Sequence, residues 1–277
     1  MSAIRKVVYY GSCQARAIAK LLDHVLPGDV ILNYPYIQKQ EPLPPHLYSA
    51  DIVIYQLYHP TIEKHMPYHT DLLVEKVKAT NPGAKLVCIP FICFYGYWPD
   101  YTIDSRNNAT ISSALPYGAF PQQSRVLSDC TSVTEACMAV LKSVYTRDEV
   151  ITRIDTMLLK TKASDALCDV KLHDYIASNY RIPSKPPLFY SVQHPRNNVL
   201  EHVAKQILEV LGLPLSKENT TRMATIPELL DDHHALILPC VRQALELSVT
   251  QFKLYDKTWV DSIGYAMAYA TTVTATR

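Results

Sequence analysis

The 277-residue chain has no Cys-x-x-Cys pair, no block of lysine and arginine, and no apolar run near the ~20 residues of a membrane span. Each absence removes a class of protein. Without CxxC spacing, the seven cysteines, at 13, 88, 93, 130, 137, 168 and 240, fit neither a zinc ribbon nor a thioredoxin motif. Their odd number and scattered spacing read as reduced thiols of a cytoplasmic protein. A formal net charge of +1 with no basic block shows no nucleic-acid footprint, while local anion sites stay open. The first residues, MSAIRKVVYYGSCQ, lack the apolar core and small-residue cleavage pattern of a secretory signal. Neither an internal repeat nor a linker between two domains is visible. What is there is an ordinary globular composition, 48% hydrophobic and 19% charged. A chain of this length buries roughly three quarters of its unfolded surface. One domain over 1–277 is expected, with a helical insertion around 100–180 and a helical C-terminal segment.

Along the chain, Val7–Tyr10 reads as a buried strand and Gln14–Val25 as a helix with Ile18, Leu21, Leu22 and Val25 on one face. Pro27-Gly28 is expected to end that helix. Val30–Leu32 is a second strand, and the Pro- and Tyr-rich stretch 34–49 reads as an ordered loop. ADIVIYQL is a third strand whose continuous apolar run suits a parallel sheet covered on both faces. Tyr68–Ala79 reads as a helix, Asn81-Pro82-Gly83 as a turn, and AKLVCIPF as a fourth strand. The order predicts an α/β fold with a small, doubly wound parallel sheet and short crossovers. Beyond Phe91 the texture turns aromatic and loop-like. Helices then begin at Ser132 (SVTE) and Thr146 (TRDE), both in capping-box form. A third is expected over about Asp165–Asn179. LFYSVQ reads as a late strand and Asn197–Leu211 as an amphipathic helix ending at Gly212. The last sixty residues read as mainly helical, with starts near Pro227 and Pro239.

Cys13 sits where the first strand ends and the first helix begins. Ligands of open α/β sheets bind at such strand ends. The helix start carries partial positive charge and unpaired N–H groups, which favour a thiolate and can hold an oxyanion. The plainer alternative is a small buried cysteine. A thiol nucleophile needs a base, and His194 is the best placed of ten histidines, between a β-type run and a helix. It is expected at the carboxyl edge of the sheet. Arg196 and Asn197 follow it, and Arg16 lies one turn into the first helix. Guanidinium forks at 16 and 196 match phosphate geometry, or are solvated surface charges. His65 and His69 are four apart, but Pro67 falls between them and no metal site is expected. His233-His234 beside two aspartates reads as a solvated, polar helix start.

These segments resemble the SGNH/GDSL hydrolase superfamily. Gly11-Ser12-Cys13 is similar to its nucleophile turn, with cysteine for serine, and Ser191-Val192-Gln193-His194-Pro195 to its histidine segment. Where that superfamily has an acid three residues before the histidine, this chain has Ser191. Where it has a Gly-x-Asn-Asp block after the third strand, this chain has Gln56-Leu57-Tyr58-His59-Pro60. A closer resemblance is to the WcbI-type polysaccharide-biosynthesis acetyltransferases, through GSCQAR, DIVIYQL, IPFICFYGYWPD, DVKLHDYI and FYSVQHPRNNVLEHVAKQIL. That resemblance implies an SGNH-like three-layer fold with extensive surrounding helices. It also implies coenzyme A as co-substrate and O-acetylation of a capsular or cell-surface sugar.

On this reading Cys13 attacks acetyl-CoA and a sugar hydroxyl takes the acyl group, with His194 as general base. Direct transfer without an acyl-enzyme fits as well. The backbone N–H groups of Cys13 and Gln14 are candidate oxyanion donors. Ser12 and the side chains of Gln14 and Gln56 are further orienting candidates, and Gln56 reads equally as a plain strand-end residue. Ser191 or a backbone carbonyl would orient the imidazole. Arg16, Arg196 and Asn197 are the coenzyme A candidates. Tyr58, His59 and Tyr97 are the substrate-side candidates, the loop aromatics Tyr95, Tyr97 and Trp98 being equally at home as packing. A cysteine-based esterase on the same fold and a non-catalytic coenzyme A- or carbohydrate-binding protein are the competing functions.

Overall fold

Four short apolar segments pair side by side and in parallel: β1 (Arg5–Tyr10), β2 (Val30–Asn33), β3 (Ile52–Gln56) and β4 (Lys85–Ile89). Their order in the sheet is β2-β1-β3-β4. Val7 pairs with Ile52 and Ile52 with Lys85, so β1, β3 and β4 end close to one level. The computed structural model describes residues 5–26, 30–33, 44–57, 69–99, 130–142, 144–183, 185–213, 215–254 and 256–275. The chain divides into two compact units: Met1–Ile92, Lys160–Tyr175 and Arg196–Leu230 form one, and Cys93–Leu159, Ile176–Pro195 and Asp231–Arg277 the other.

The first unit holds the sheet. Val8, Tyr10 and Val53 pack with Leu73 and Val77 of helix α2 (Thr70–Thr80) and with Leu47 of a 3-10 turn, Pro45–Ser49. Strand alternation turns Val7, Tyr9, Ile52 and Ile54 to the opposite face, and all four are buried. On that side helix α1 (Cys13–Asp23) packs against a later helix, Asn197–Leu211. Buried Ile18, Leu21 and Leu22 line α1, each removing about 2 kcal/mol of apolar surface from water. Covered on both faces, the strands need no polar alternation, which is why they read as apolar runs.

Several boundaries differ from expectation. Helix α1 ends at Asp23, where the N–H groups of Val25 and Leu26 both turn back to Leu22, before Pro27. Pro27 and Gly28, and most of the 34–49 loop, lie outside the described residues. The two capping boxes start helices α3 (Val133–Leu141) and α4 (Arg147–Asp165): Ser132 Oγ accepts from Glu135 N–H, and Thr146 and Glu149 exchange bonds. The helix expected over 165–179 is two pieces. Asp165 ends α4, and its carboxylate accepts the N–H groups of Leu172 and His173, starting α5 (His173–Asn179) afresh. Helix α6 (Asn197–Leu211) ends as expected at Gly212, in the left-handed region at φ 71°.

In the second unit the late strand is only β5 (Phe189–Ser191). It pairs antiparallel with β6 (His194–Pro195), so His194 sits in a tight hairpin. After helix α7 (Lys217–Ala224) no helix begins at Pro227, whereas Pro239 does open α8 (Pro239–Leu245). A small hairpin, β7 (Phe252–Lys253) and β8 (Trp259–Val260), precedes α9 (Ser262–Ala275), which packs on α3. Among the described residues no helix is long and apolar enough to cross a membrane.

Candidate active site

The turn Gly11-Ser12-Cys13 is built by a glutamine clamp within the first unit. Ser12 is the N-cap of α1 and Cys13 its first helical residue. Gln56, at the end of β3, accepts both the Ser12 N–H, at 3.0 Å, and the Ser12 hydroxyl, at 2.8 Å. Its amide nitrogen donates to Gln14 Oε1 at 2.6 Å. Gln14 in turn donates to the Ile92 carbonyl at 2.6 Å and accepts the Ile92 N–H at 3.1 Å. Ser12, Gln14 and Gln56 are all buried, so each bond left unmade would cost a desolvated polar group. Gly11 is required by space: a Cβ there would lie 2.7 Å from Ala15 Cβ and 2.9 Å from Gln56 Oε1. Cys13 itself is half-buried.

His194, in the second unit, meets an acid that no local motif announces. Its Nδ1 lies 2.9 Å from Asp232 Oδ1, with the imidazole almost wholly buried and the carboxylate 38% exposed. Burial would raise the Asp232 carboxyl, but the hydrogen bond and charge of His194 hold it below the ordinary value. The neighbours of Asp232 are each pinned. Asp231 pairs with Lys253 at 2.8 Å and with His234. His234 stacks on Tyr190 at 4.3 Å between centroids and donates its backbone N–H to Lys253 O. Ala235 N–H bonds Tyr190 O in β5. His233 lies 3.2 Å from the Tyr265 hydroxyl, and burial pushes its imidazole down to about 4. An acid on the Nδ1 of a histidine is the arrangement that fixes tautomer and ring orientation for a general base. Buried His233 and His234 with partly buried Asp231 and Asp232 thus form a polar anchor outside any helix, which corrects their reading as a solvated helix start.

The sequence model of the polysaccharide biosynthesis enzyme WcbI matches residues 6–216. The chain belongs to the WcbI family. A solved structure of WcbI, described as a novel polysaccharide biosynthesis enzyme, shares its fold with a TM-score of 0.67 and 17% identity. The match covers 98% of this chain and 90% of that one. That structure is described as the native protein without a disulfide bond between coenzyme A and a cysteine numbered 14 there. No curated protein matches. The small parallel sheet with many helices is the WcbI fold, and this chain is a member of a family of polysaccharide biosynthesis enzymes.

Within this WcbI-family chain the remaining candidates separate. Gln14 and Gln56 spend their amides on the clamp, and the Gln14 N–H points to the Ser12 hydroxyl at 3.4 Å. Through these bonds both side chains position the turn. Ser191 pairs with His194 through the hairpin backbone, and Asp232 is the acid beside the imidazole Nδ1. Arg16 is exposed on α1. Arg196 lies 3.6 Å from Glu228. Asn197 is corrected from coenzyme A ligand to loop anchor. Its amide donates to the carbonyls of Ile226 and Pro227 and accepts the Leu229 N–H, all at 3.0 Å. Glu228 takes the Asn197 N–H at 2.8 Å, so a carboxylate already fills the start of α6 where an anion would bind. Tyr97 is corrected likewise. It is fully buried, donates to Tyr180 O at 2.6 Å and accepts the Leu188 N–H. Trp98 is buried and bonded to Leu236 O. Tyr58, His59 and His65 lie outside the described residues, and His69 caps α2 by accepting the Asp71 N–H.

Proposed function

We propose that this protein is a cytoplasmic coenzyme A-dependent O-acetyltransferase with an SGNH-like site, acting on a hydroxyl of a capsular or cell-surface polysaccharide sugar. Cys13 is the nucleophile and His194, oriented by Asp232, the general base. The observation that carries the reading is the half-buried thiol at the first helical position of α1, in a family with a WcbI structure described as the native protein without a disulfide bond between coenzyme A and a cysteine. Arg16, exposed one turn beyond Cys13, is a fitting partner for coenzyme A phosphates.

Coenzyme A supplies the acyl group as a thioester, whose exchange for another thioester is nearly balanced. Cys13 forms the new carbon–sulfur bond as its thiol proton passes to His194, and His194 hands that proton to the departing sulfur, so coenzyme A leaves as the thiol. Freed of that proton, His194 takes the proton of the sugar hydroxyl as the sugar oxygen bonds the acyl carbon, and returns it to the Cys13 sulfur as that bond breaks. Asp232 holds the imidazole and stabilises its charged form at both stages. The clamp of Gln56, Gln14 and Ser12 keeps the thiol at the helix start.

The test uses the purified protein with acetyl-CoA and a polysaccharide acceptor. Cys13→Ala and His194→Ala are each expected to abolish acetyl transfer, Cys13→Ala with the melting temperature nearly unchanged and His194→Ala with it lowered, because Asp232 loses its buried partner. Retained turnover in either removes that residue from its role. Absence of any thermal shift at millimolar coenzyme A, together with hydrolysis of a simple acetyl ester, would replace the transferase by the cysteine esterase.

A further inference from the structure

Outside that site, the first unit brings two cysteines together from distant parts of the chain. Cys88 of β4 and Cys168, after α4, lie with their sulfurs 3.7 Å apart, and both residues are buried. The Cys88 backbone is already bonded to the two residues that follow Cys168. Cys88 N–H donates to Asp169 Oδ2 at 2.7 Å, and Cys88 O accepts from Asp169 N–H at 2.8 Å and Val170 N–H at 3.3 Å. Lys171 adds a clasp, its ammonium on the carbonyls of Asp165 and Cys168. Sulfurs already 3.7 Å apart on segments bonded to each other are placed to close toward the ~2.05 Å of a disulfide.

We propose that Cys88 and Cys168 are an oxidisable dithiol, a modification site that takes a small peroxide and closes to a reversible disulfide. The two sulfurs are not equivalent. Burial works against the Cys88 thiolate, but the hydrogen bond from Cys168, the first influence on it, together with that from Tyr55, lowers its pKa. Cys168, whose proton is shared toward Cys88, is raised. Cys88 is therefore the attacking sulfur. Its thiolate bonds one peroxide oxygen and the O–O bond breaks; the departing oxygen takes a proton and leaves as water, giving a sulfenic acid on Cys88. Cys168 then gives up its proton, its sulfur displaces that hydroxyl, and a second water leaves. Two thiols are oxidised by two electrons and one peroxide is reduced to two waters. A sequence separation of 80 between the partners makes the cross-link a strong constraint on the unfolded chain. It would tie β4 to the segment after α4, upstream of the Ile92 backbone that holds Gln14.

The experiment treats the full-length protein with a few equivalents of hydrogen peroxide, blocks remaining thiols with N-ethylmaleimide, and maps peptides without reduction. A peptide linking Cys88 to Cys168 is expected, lost after dithiothreitol, with a raised melting temperature for the oxidised form. In Cys168→Ser, dimedone is expected to label Cys88 as the trapped sulfenic acid. The proposal falls if both cysteines stay alkylatable in the unfolded digest at a dose that oxidises half-buried Cys240, or if either pairs with a different cysteine. The wild-type map decides the matter even where the variant fails to fold.

Discussion

At the scale of single residues, the contact between His194 and Asp232 gives the proposed base its orienting acid, and its removal is measurable. Asp232→Asn is expected to lower kcat roughly 100-fold, with little change in KM for coenzyme A, because the imidazole loses tautomer control and charge stabilisation. An unchanged kcat would assign Asp232 to structure alone. The neighbouring His233 has a second consequence, for stability. Its imidazole ordinarily titrates near 6.5 but only near 4 in the fold, burial being the main cause. Between those values the unfolded chain holds the extra proton, so stability is full above about 6.5 and is lost as pH falls toward 4. The loss approaches about 3 kcal/mol. Asp232, held below its ordinary value, adds a loss of the same sign at still lower pH. Calorimetry from pH 7 to 4 checks this: His233→Asn is expected to flatten the decline in melting temperature, and an equal decline in both proteins would contradict it.

At the scale of elements, the strand-to-helix turn is held by fit as well as by bonds. Gly11→Ala would drive a Cβ against Ala15 and the Gln56 amide, opening the clamp around Cys13. The expected result is a marked fall in the alkylation rate advantage of Cys13 over Cys240, read by timed labelling and peptide mapping. Gly212→Ala is the control in kind. Its backbone has φ 71° and no atom within 4 Å of the added carbon, so the change costs only left-handed strain, about 1 kcal/mol in urea unfolding. Both capping boxes, the two strand-flanked turns and the helix ending at Gly212 were legible in sequence, because they depend on residues within four positions of one another. The split of the 165–179 helix was not. Asp165 looks like a helix-start acid in sequence, and only its bonds to Leu172 and His173 show that it closes one helix and caps the next.

At the scale of the whole molecule, the proposed function separates coenzyme A binding from coenzyme A bonding. Excess coenzyme A is expected to raise the melting temperature of the wild type and of Cys13→Ala alike, since a ligand that prefers the folded state stabilises it by mass action. Coenzyme A disulfide, by contrast, is expected to add one coenzyme A mass to the wild type and none to Cys13→Ala under mild oxidation. Loss of the thermal shift in Cys13→Ala would mean that the thiol is needed for binding itself. Arg16→Ala is expected to weaken the shift if its guanidinium meets phosphate, and an unaltered shift removes it from the site.

The sequence by itself determined the alternation of strands and helices, the parallel sheet, and the place of Cys13 at the start of α1, because hydrophobic period and near-neighbour capping set all of these. It also carried the family, through motifs spread over most of the chain. The tertiary structure alone decided which polar groups are spent and on what. Asp232 reaches His194 from far along the chain, Gln56 and Gln14 close on each other across the sheet end, and Asn197 and Tyr97 turn inward to satisfy buried backbone. A buried polar atom must find a partner in space, and one-dimensional spacing does not say which segment will stand opposite it.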